Sequence, residues 1–296
     1  MTRPNFFVIG APKCGTTSLS RWLRGHPNIY MPFEKEPGFF NSDDRRAISA
    51  LDQYEGLFRD AREEHIAVGE ASVFYLSSSV AATNIIRYQP DARFIVMVRN
   101  PVEMAPAFHA EMVLSGQENV RDFYEAWNLQ KARRLGHRLP IFCGTPRYYL
   151  YEDLCSLGQQ VQKLLAIVPA SRVLVIVLDD VASDPRKEYL RVLNFLGVPD
   201  DGRLSFPIYN TARVSRRPKL LRLLYLVVES KRLLGISVGF GLWSRVKAGQ
   251  IEQKRPDVSA EVAEILNKSF ANDVDLLSKL LNRDLQHWVV AAPAAI

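Results

Sequence analysis

The sequence predicts a P-loop-like, three-layer α/β fold in which a central parallel sheet carries helices on both faces. Apolar, β-branched runs at Phe6–Ile9, Phe94–Val98 and Val173–Leu178 are continuous rather than alternating, the pattern of strands covered on both faces. Helix-like stretches lie between them, and such β-α alternation implies a doubly wound parallel sheet. A third observation is FFVIGAPKCGTTS at residues 6–18, where the first run breaks at Gly10 into a loop and a helix opens at Thr16. In such sheets ligands bind beyond the carboxyl ends of the strands.

The elements follow from local signals. Thr16–Arg24 closes at Gly25, and Ser79–Tyr88 stops before Pro90. Pro101–Ser115 opens on proline, Val120–Leu135 closes at Gly136, and Leu157–Ile167 follows. Pro185–Leu196 begins on proline and ends at Gly197, and Ser259–Trp288 reads as a helix with a closing segment. No repeat, low-complexity tract or linker interrupts the 296 residues, so residues 1–296 are expected to form a single domain with one sizeable core.

Charge narrows the partners. Lys and Arg total 38 against 32 Asp and Glu, a net charge of +6. Between Asn210 and Arg255 stand eleven basic residues against Glu229 and Glu252, so the excess is concentrated in one late segment. That suits an anionic small ligand, keeps a peripheral contact with an anionic membrane open, and does not point to nucleic acid. Within Pro218–Lys247, apolar residues at helical spacing border basic ones, the pattern of a core-packed helix, a lid over an apolar acceptor site or a membrane-docking surface. Three cysteines, Cys14, Cys143 and Cys155, are too few and too irregular for a disulfide framework or a zinc site. No run has the length of a membrane span, and the N-terminus enters the first strand without a signal-peptide pattern. A cytoplasmic, metal-free protein is expected.

The loop after the first strand carries the chemistry. Gly10 allows a sharp turn, Gly15 lets N–H groups approach an anion closely, and the helix opened by Thr16-Thr17-Ser18 directs its positive end at the same place. A Walker A loop places Lys directly after the second glycine, with a Mg²⁺-binding hydroxyl next. Here Lys13 lies between the glycines and Thr16 takes the Walker lysine position. The loop suits a phosphate, but not Mg·ATP. Cys14 reads as a residue presenting its backbone rather than as a nucleophile.

The run Ala11-Pro12-Lys13-Cys14-Gly15-Thr16-Thr17-Ser18-Leu19 resembles the 5′-phosphosulfate loop of sulfotransferases that use 3′-phosphoadenosine 5′-phosphosulfate (PAPS). The resemblance implies that Lys13 through Ser18 (Lys13, Cys14, Gly15, Thr16, Thr17, Ser18) bind the donor and that Lys13 is catalytic. Arg93–Glu103, a strand ending in Arg99 before Asn100-Pro101, is similar to the family's 3′-phosphate motif, in which Arg and a Ser eight residues later grip the phosphate. Here that second position is Ala107, leaving Ser115 or a basic residue of the 210–220 loop to compensate; on the residues alone Arg99 also reads as a strand-end ion pair. Met31–Phe40, containing Lys35-Glu36-Pro37-Gly38-Phe39-Phe40, resembles the K-E-P-x-F-F segment of the bacterial and heparan-sulfate-type branch, which implies Glu36 as general base. Glu36 otherwise reads as an exposed loop carboxylate beside the solvated types Glu34 and Lys35; His26, His65, His109, His137 and His287 are the rival bases, and of these His109, in the helix after Arg99, is the one to test. Gly69–Leu76 looks like a segment lining the cleft, with Ala71 where heparan-sulfate enzymes carry Lys and Tyr75 expected to pack. Asn210–Lys219 resembles the loop closing over the nucleotide, in which Arg217 faces the 3′-phosphate or joins a solvated basic face.

The reading that results is sulfuryl transfer from PAPS to an acceptor hydroxyl, with an amine as the second choice, 3′,5′-ADP as product and no metal. A P-loop nucleotide kinase and a non-catalytic nucleotide- or lipid-binding protein with a decayed site remain as alternatives.

Overall fold

The structure, a computed structural model, describes residues 2–44, 48–209, 213–215, 218–233, 250–252 and 258–289. Residues 1–100, 156–210 and 272–286 gather into one compact unit, and residues 101–155, 211–271 and 287–296 into another. Among the described residues the α-helices, in chain order, are α1 (Thr16–Arg24), α2 (Leu51–Gly56), α3 (Ala81–Tyr88), α4 (Pro101–Leu114), α5 (Phe123–Asn128), α6 (Gln130–Arg134), α7 (Tyr151–Cys155), α8 (Leu157–Leu165), α9 (Leu178–Ser183), α10 (Pro185–Leu196), α11 (Pro218–Leu233) and α12 (Ala260–Leu281).

The first unit is built on a parallel sheet of β1 (Phe6–Gly10), β2 (Ile29–Tyr30), β3 (Ala67–Ala71), β4 (Arg93–Val98) and β5 (Val173–Val177), in the order β2-β3-β1-β4-β5. Helices flank it, as the α/β reading expected. β1 is central. Phe6, Phe7 and Val8 register with Gly69, Glu70 and Ala71 on one side and with Arg93, Phe94 and Ile95 on the other. All five β1 residues are buried, which is why its sequence is apolar throughout. Asn5 helps to set the register: its Oδ1 accepts from Val68 N at 3.0 Å and its own N–H donates to Val68 O at 2.7 Å.

The strand runs read from sequence are β1, β4 and β5, each within a residue of its expected bounds. β2 and β3 gave no comparable signal. β2 has only two residues, and β3 reads Ala-Val-Gly-Glu-Ala, with a glycine and a charge where strands usually have neither. Both exceptions have a tertiary cause. A Cβ at Gly69 would lie 2.4 Å from the Phe6 ring, and Glu70 is satisfied by the Tyr54 hydroxyl from α2 and by the Ser72 and Tyr75 hydroxyls of the turn after β3.

Caps define the helices of this unit. α1 is closed by the Gly25 N–H on the Arg21 and Trp22 carbonyls, and Asp184 Oδ1 accepts from Lys187 N at 2.9 Å to start α10 behind Pro185. α8 borrows its cap from α12: Asp273 accepts from Gly158 N at 2.8 Å and from Gln159 N at 2.9 Å. A Cβ at Gly158 would meet Asp273 O at 2.3 Å, so glycine is required there.

In the second unit the expected Val120–Leu135 helix is two helices, α5 and α6. Asn119 N and Val120 N donate to Glu118 Oε1, which holds the chain out of helix until Asp122 caps α5 through Glu125 N at 2.7 Å. Buried Glu118 pairs with buried Arg133 through bonds of 2.8 and 3.0 Å and accepts from the Tyr151 hydroxyl at 2.6 Å. α11 packs through buried Leu221, and Arg222 donates to the carbonyls of Gly116 and Gln117. Leu223 and Val227 are exposed on the same helix. Residues 234–247 of the expected lid or docking segment lie outside the described residues. β6 (Arg213–Ser215) pairs antiparallel with β7 (Gln250–Glu252).

Gly69→Ala should overpack the sheet against Phe6 and lower unfolding free energy by about 1–3 kcal/mol, measured by urea titration. Gly56→Ala, at the end of α2 with nothing within 4 Å of the added carbon, is the control and should leave stability unchanged or raise it by up to about 1 kcal/mol. Equal effects of the two would refute the packing account of Gly69.

Candidate active site

Three chain segments meet at the carboxyl end of β1, all within the first unit. The turn after β3 docks on β1 directly: Ser72 N donates to Val8 O at 3.0 Å and Leu76 N to Ile9 O at 2.8 Å. A Cβ at Gly10 would lie 3.0 Å from Val73 O and 2.8 Å from Leu76 Cβ, so the close approach of this turn requires the glycine. On the other side Ala11 N donates to Met97 O at 2.9 Å, tying the loop to β4.

The loop then enters the left-handed region twice, at Lys13 (φ 63°) and Gly15 (φ 87°). Glycine takes that conformation freely, whereas a lysine there costs roughly 1–2 kcal/mol. Arg99, at the end of β4, donates to Lys13 O at 3.3 Å and supports the loop from below. Cys14 is buried, its thiol contacts Pro12 O, and burial pushes the thiol up to about 12, so it presents backbone and not a thiolate. Gly15 begins α1 without any side-chain cap, and the first N–H groups of a helix have no carbonyl partner within it. An uncapped helix start after a left-handed glycine fits an anion. Ser18 is committed elsewhere: its N–H bonds Gly15 O, and its hydroxyl accepts from Tyr209 N at 3.0 Å. Together with the Trp22 Nε1 bond to Pro207 O and the Arg21 guanidinium over the Tyr209 ring, this docks residues 207–209 on α1.

Glu36 lies on the segment facing the loop, in the left-handed region at φ 64°. Its N–H donates to Ala71 O at 2.9 Å, Gly38 N donates to Ser72 Oγ at 3.2 Å, and Phe39 N and Phe40 N both donate to the Tyr75 hydroxyl, at 2.9 and 3.3 Å. Beneath these bonds lies Glu70, 1% exposed, whose carboxylate accepts from Tyr54 at 3.0 Å, Tyr75 at 2.9 Å and Ser72 at 2.8 Å. Burial raises Glu70 to about 7 against the opposing pull of the three hydroxyls. Tyr75, expected to pack, does so and also links the Glu70 carboxylate to the 39–40 backbone. Phe40 closes the arrangement from the core side, edge-on to Phe7 of β1 at 5.8 Å.

The two halves touch through a residue that sequence reading assigned to solvent. Lys35 Nζ lies 3.3 Å from Thr16 Oγ1, 3.2 Å from Thr17 Oγ1 and 3.2 Å from Glu36 Oε1. The only signal for it was its place beside Glu36 in the K-E-P run. The structure thus brings together Lys13, Cys14, Gly15, Thr16, Thr17, Arg99 and Glu36. Arg217 lies outside the described residues. His109 is buried in α4 of the second unit, bonded to Val120 O at 2.9 Å and packed edge-on against Phe123 and Tyr151; burial holds it below the usual histidine range. Ala107 is buried in the same helix, and the Ser115 hydroxyl bonds Met112 O. Among the described residues no group of three or more His, Cys, Asp or Glu could hold a metal ion, and no helix is long and apolar enough to cross a membrane.

A glycine-bearing loop at the carboxyl end of the central strand, with the Glu36 carboxylate held across from it, defines an α/β protein whose candidate site suits an anion. The sulfotransferase domain family matches residues 3–278, and the chain belongs to it. It is 30% identical over 230 residues to heparan sulfate glucosamine 3-O-sulfotransferase 6 of Mus musculus, covering 74% of this chain and 62% of the relative. Membrane-associated sulfotransferase kil1 of Dictyostelium discoideum is 36% identical over 104 residues, 34% of this chain and 21% of the relative. The chain therefore spans less than two thirds of these curated relatives. The crystal structure of a sulfotransferase from Alicyclobacillus acidocaldarius matches the fold with a TM-score of 0.72 at 28% identity, over 97% of this chain and 99% of that one.

Glu70 gives a pH-dependent stability. Its folded-state value near 7 lies above the ordinary 4.5, so as pH rises the unfolded chain loses this proton first. Its contribution is therefore most favourable below about 4.5, declines through about 7 and is constant above, a total change on the order of 3 kcal/mol. Glu70→Gln should flatten this part of the stability–pH curve, followed by denaturant titration from pH 5 to 8. An unchanged slope would show that Glu70 ionises at the same pH folded and unfolded.

Proposed function

We propose that this sulfotransferase takes its sulfuryl group from PAPS and delivers it to an acceptor hydroxyl, with Glu36 as general base. One observation carries the proposal: a single ammonium, Lys35, reaches both the Thr16 and Thr17 hydroxyls at the anion-binding helix start and the Glu36 carboxylate. The base is therefore one small group away from the place where the donor's anion docks, the separation an in-line transfer needs.

In this mechanism the uncapped N–H groups at the start of α1 and the hydroxyls of Thr16 and Thr17 hold the 5′-phosphate. Lys13 stabilises the negative charge that develops on the oxygen between phosphorus and sulfur as the donor bond lengthens. Arg99, beside the loop, supplies a planar fork for the 3′-phosphate. Glu36 accepts the proton of the attacking hydroxyl, and no metal takes part. The transition state is loose and in line by analogy with phosphoryl transfer, so positioning and charge stabilisation account for the rate. A kinase reading has no support in the loop, since Thr16 stands where the Walker lysine would be. The acceptor is a hydroxyl of a small molecule, lipid or glycan, and a screen of extracts with isotopically labelled PAPS identifies it.

Calorimetry without magnesium should show 3′,5′-ADP binding at least tenfold more tightly than 5′-AMP or ATP, about 1.4 kcal/mol for the added phosphate contact. Equal affinities, or a preference for Mg·ATP, would sink the donor assignment, and tight 3′,5′-ADP binding without transfer to any acceptor would favour a binding protein.

Lys13→Ala should cost roughly 10²–10³ in turnover with the fold intact. Glu36→Gln should cost roughly 10²–10⁴ while 3′,5′-ADP affinity changes less than about twofold. Near-normal turnover in Glu36→Gln would place the base elsewhere.

A further inference from the structure

Lys35 has no part in the mechanism above, yet its contacts are unlike those of a surface ion pair. An ammonium has three donors, and here three contacts fall on Thr16 Oγ1, Thr17 Oγ1 and Glu36 Oε1. The side chain is 23% exposed, less than its carboxylate partner at 38%. Its backbone is fixed indirectly: residue 36 is bonded to Ala71 O, and residues 38–40 hang on Ser72 and Tyr75. The ammonium is thus carried on the same clamped segment as the base.

We propose that Lys35 is a catalytic cation that binds the oxygens of the sulfuryl group in transit. This rests on the PAPS and Glu36 reading above. Thr16 and Thr17 open the helix where the donor phosphate docks, and Glu36 must lie within hydrogen-bond reach of the attacking oxygen. In-line transfer puts sulfur between those two oxygens, so the sulfuryl group crosses the gap between the helix start and Glu36. Lys35 spans that gap. During transfer the acceptor oxygen forms its bond to sulfur while the bond from sulfur to the 5′-phosphate oxygen breaks. That electron pair stays on the phosphate oxygen of 3′,5′-ADP, and the acceptor proton passes to Glu36. The three non-bridging sulfuryl oxygens stay negative throughout, and Lys35 offers them charge-assisted hydrogen bonds.

Lys35 also links the two substrates. Without donor it is paired with Glu36 and the two hydroxyls. When an anion takes the Thr16 and Thr17 hydroxyls, Lys35 exchanges them for sulfuryl oxygens and is drawn from the carboxylate, which is then free to receive the acceptor.

The test compares wild type, Lys35→Met and Lys35→Arg by calorimetry against PAPS and against 3′,5′-ADP, which lacks only the sulfuryl group. Lys35→Met should weaken PAPS about tenfold and 3′,5′-ADP by less than about twofold, with kcat reduced about 100-fold and acceptor KM little changed. Lys35→Arg should recover part of the PAPS affinity. Lys35→Gln serves the same comparison if the Met variant does not fold. Equal weakening of both nucleotides, or of neither, overturns the inference, because Lys35 would then serve the phosphate or nothing. Failure of wild type to bind 3′,5′-ADP overturns the donor reading itself, and Lys35 with it, and so is distinguishable from the first result.

Discussion

A carboxyl group buried in the sheet holds the segment that carries Lys35 and Glu36. Taking an ionisable group out of water is costly unless its oxygens find partners, and Glu70 finds three hydroxyls, from Tyr54, Ser72 and Tyr75. Each of the latter two, having turned its proton toward Glu70, presents its oxygen to the backbone of residues 38–40. The direction of the hydrogen bonds is therefore set from the centre outward. Carboxylate orients hydroxyl, hydroxyl holds backbone, and the backbone carries Lys35 and Glu36. Replacing this chain with apolar packing would leave the 38–40 N–H groups without those acceptors.

The loop after β1 is organised by the position of that strand. With β3 and β4 on its two sides, the residues following it have neighbours on both: the 72–76 turn bonds Val8 and Ile9, while Met97 O takes the Ala11 N–H. The loop is held to a close path, and Lys13 adopts a left-handed conformation within it. Glu36 does the same opposite. Lys13 and Glu36 are two of five described non-glycine residues with positive φ, beside Arg138, Phe142 and Asn282, and their proposed place at the reacting atoms fits the general observation that backbone strain persists where surrounding contacts over-determine it. Their combined cost, roughly 2–4 kcal/mol, is a large fraction of a typical folding free energy and is offset by the bonds that clamp each segment.

Two charge arrangements in the chain differ in kind. Glu118 and Arg133 are both buried and bonded by two contacts, so they hold α6 in place and have no solvent access. Lys35 and Glu36 are half-buried, meet through one contact, and share it with two hydroxyls that an anion can claim. A pair of the second kind is weak and exchangeable, which suits the substrate-responsive role proposed for it.

The sequence by itself determined the α/β class, the central strands β1, β4 and β5, the phosphate-type loop and the candidates Lys13, Arg99 and Glu36, because each leaves a local mark: an apolar run, a glycine spacing, an Arg or Glu in a short motif. Only tertiary structure decided the rest. β3 was hidden because its Gly69 is explained by the Phe6 ring and its Glu70 by the Tyr54 hydroxyl from α2 together with those of Ser72 and Tyr75 in the turn that follows, a convergence that only the fold creates. The Val120–Leu135 stretch keeps helical composition throughout, yet the Val120 N–H is taken by Glu118 and the helix starts only at Phe123, behind the Asp122 cap. Ser18 looks identical to Thr16 and Thr17 as a loop hydroxyl until Tyr209 is placed upon it. Lys35 shows the limit most directly. In sequence a lysine between two glutamates reads as solvated, and its role depends on hydroxyls eighteen and nineteen residues away that the fold brings to within 3.3 Å. Hydrogen bonds of this kind are set by distance and direction in space, and composition or periodicity carries no record of either.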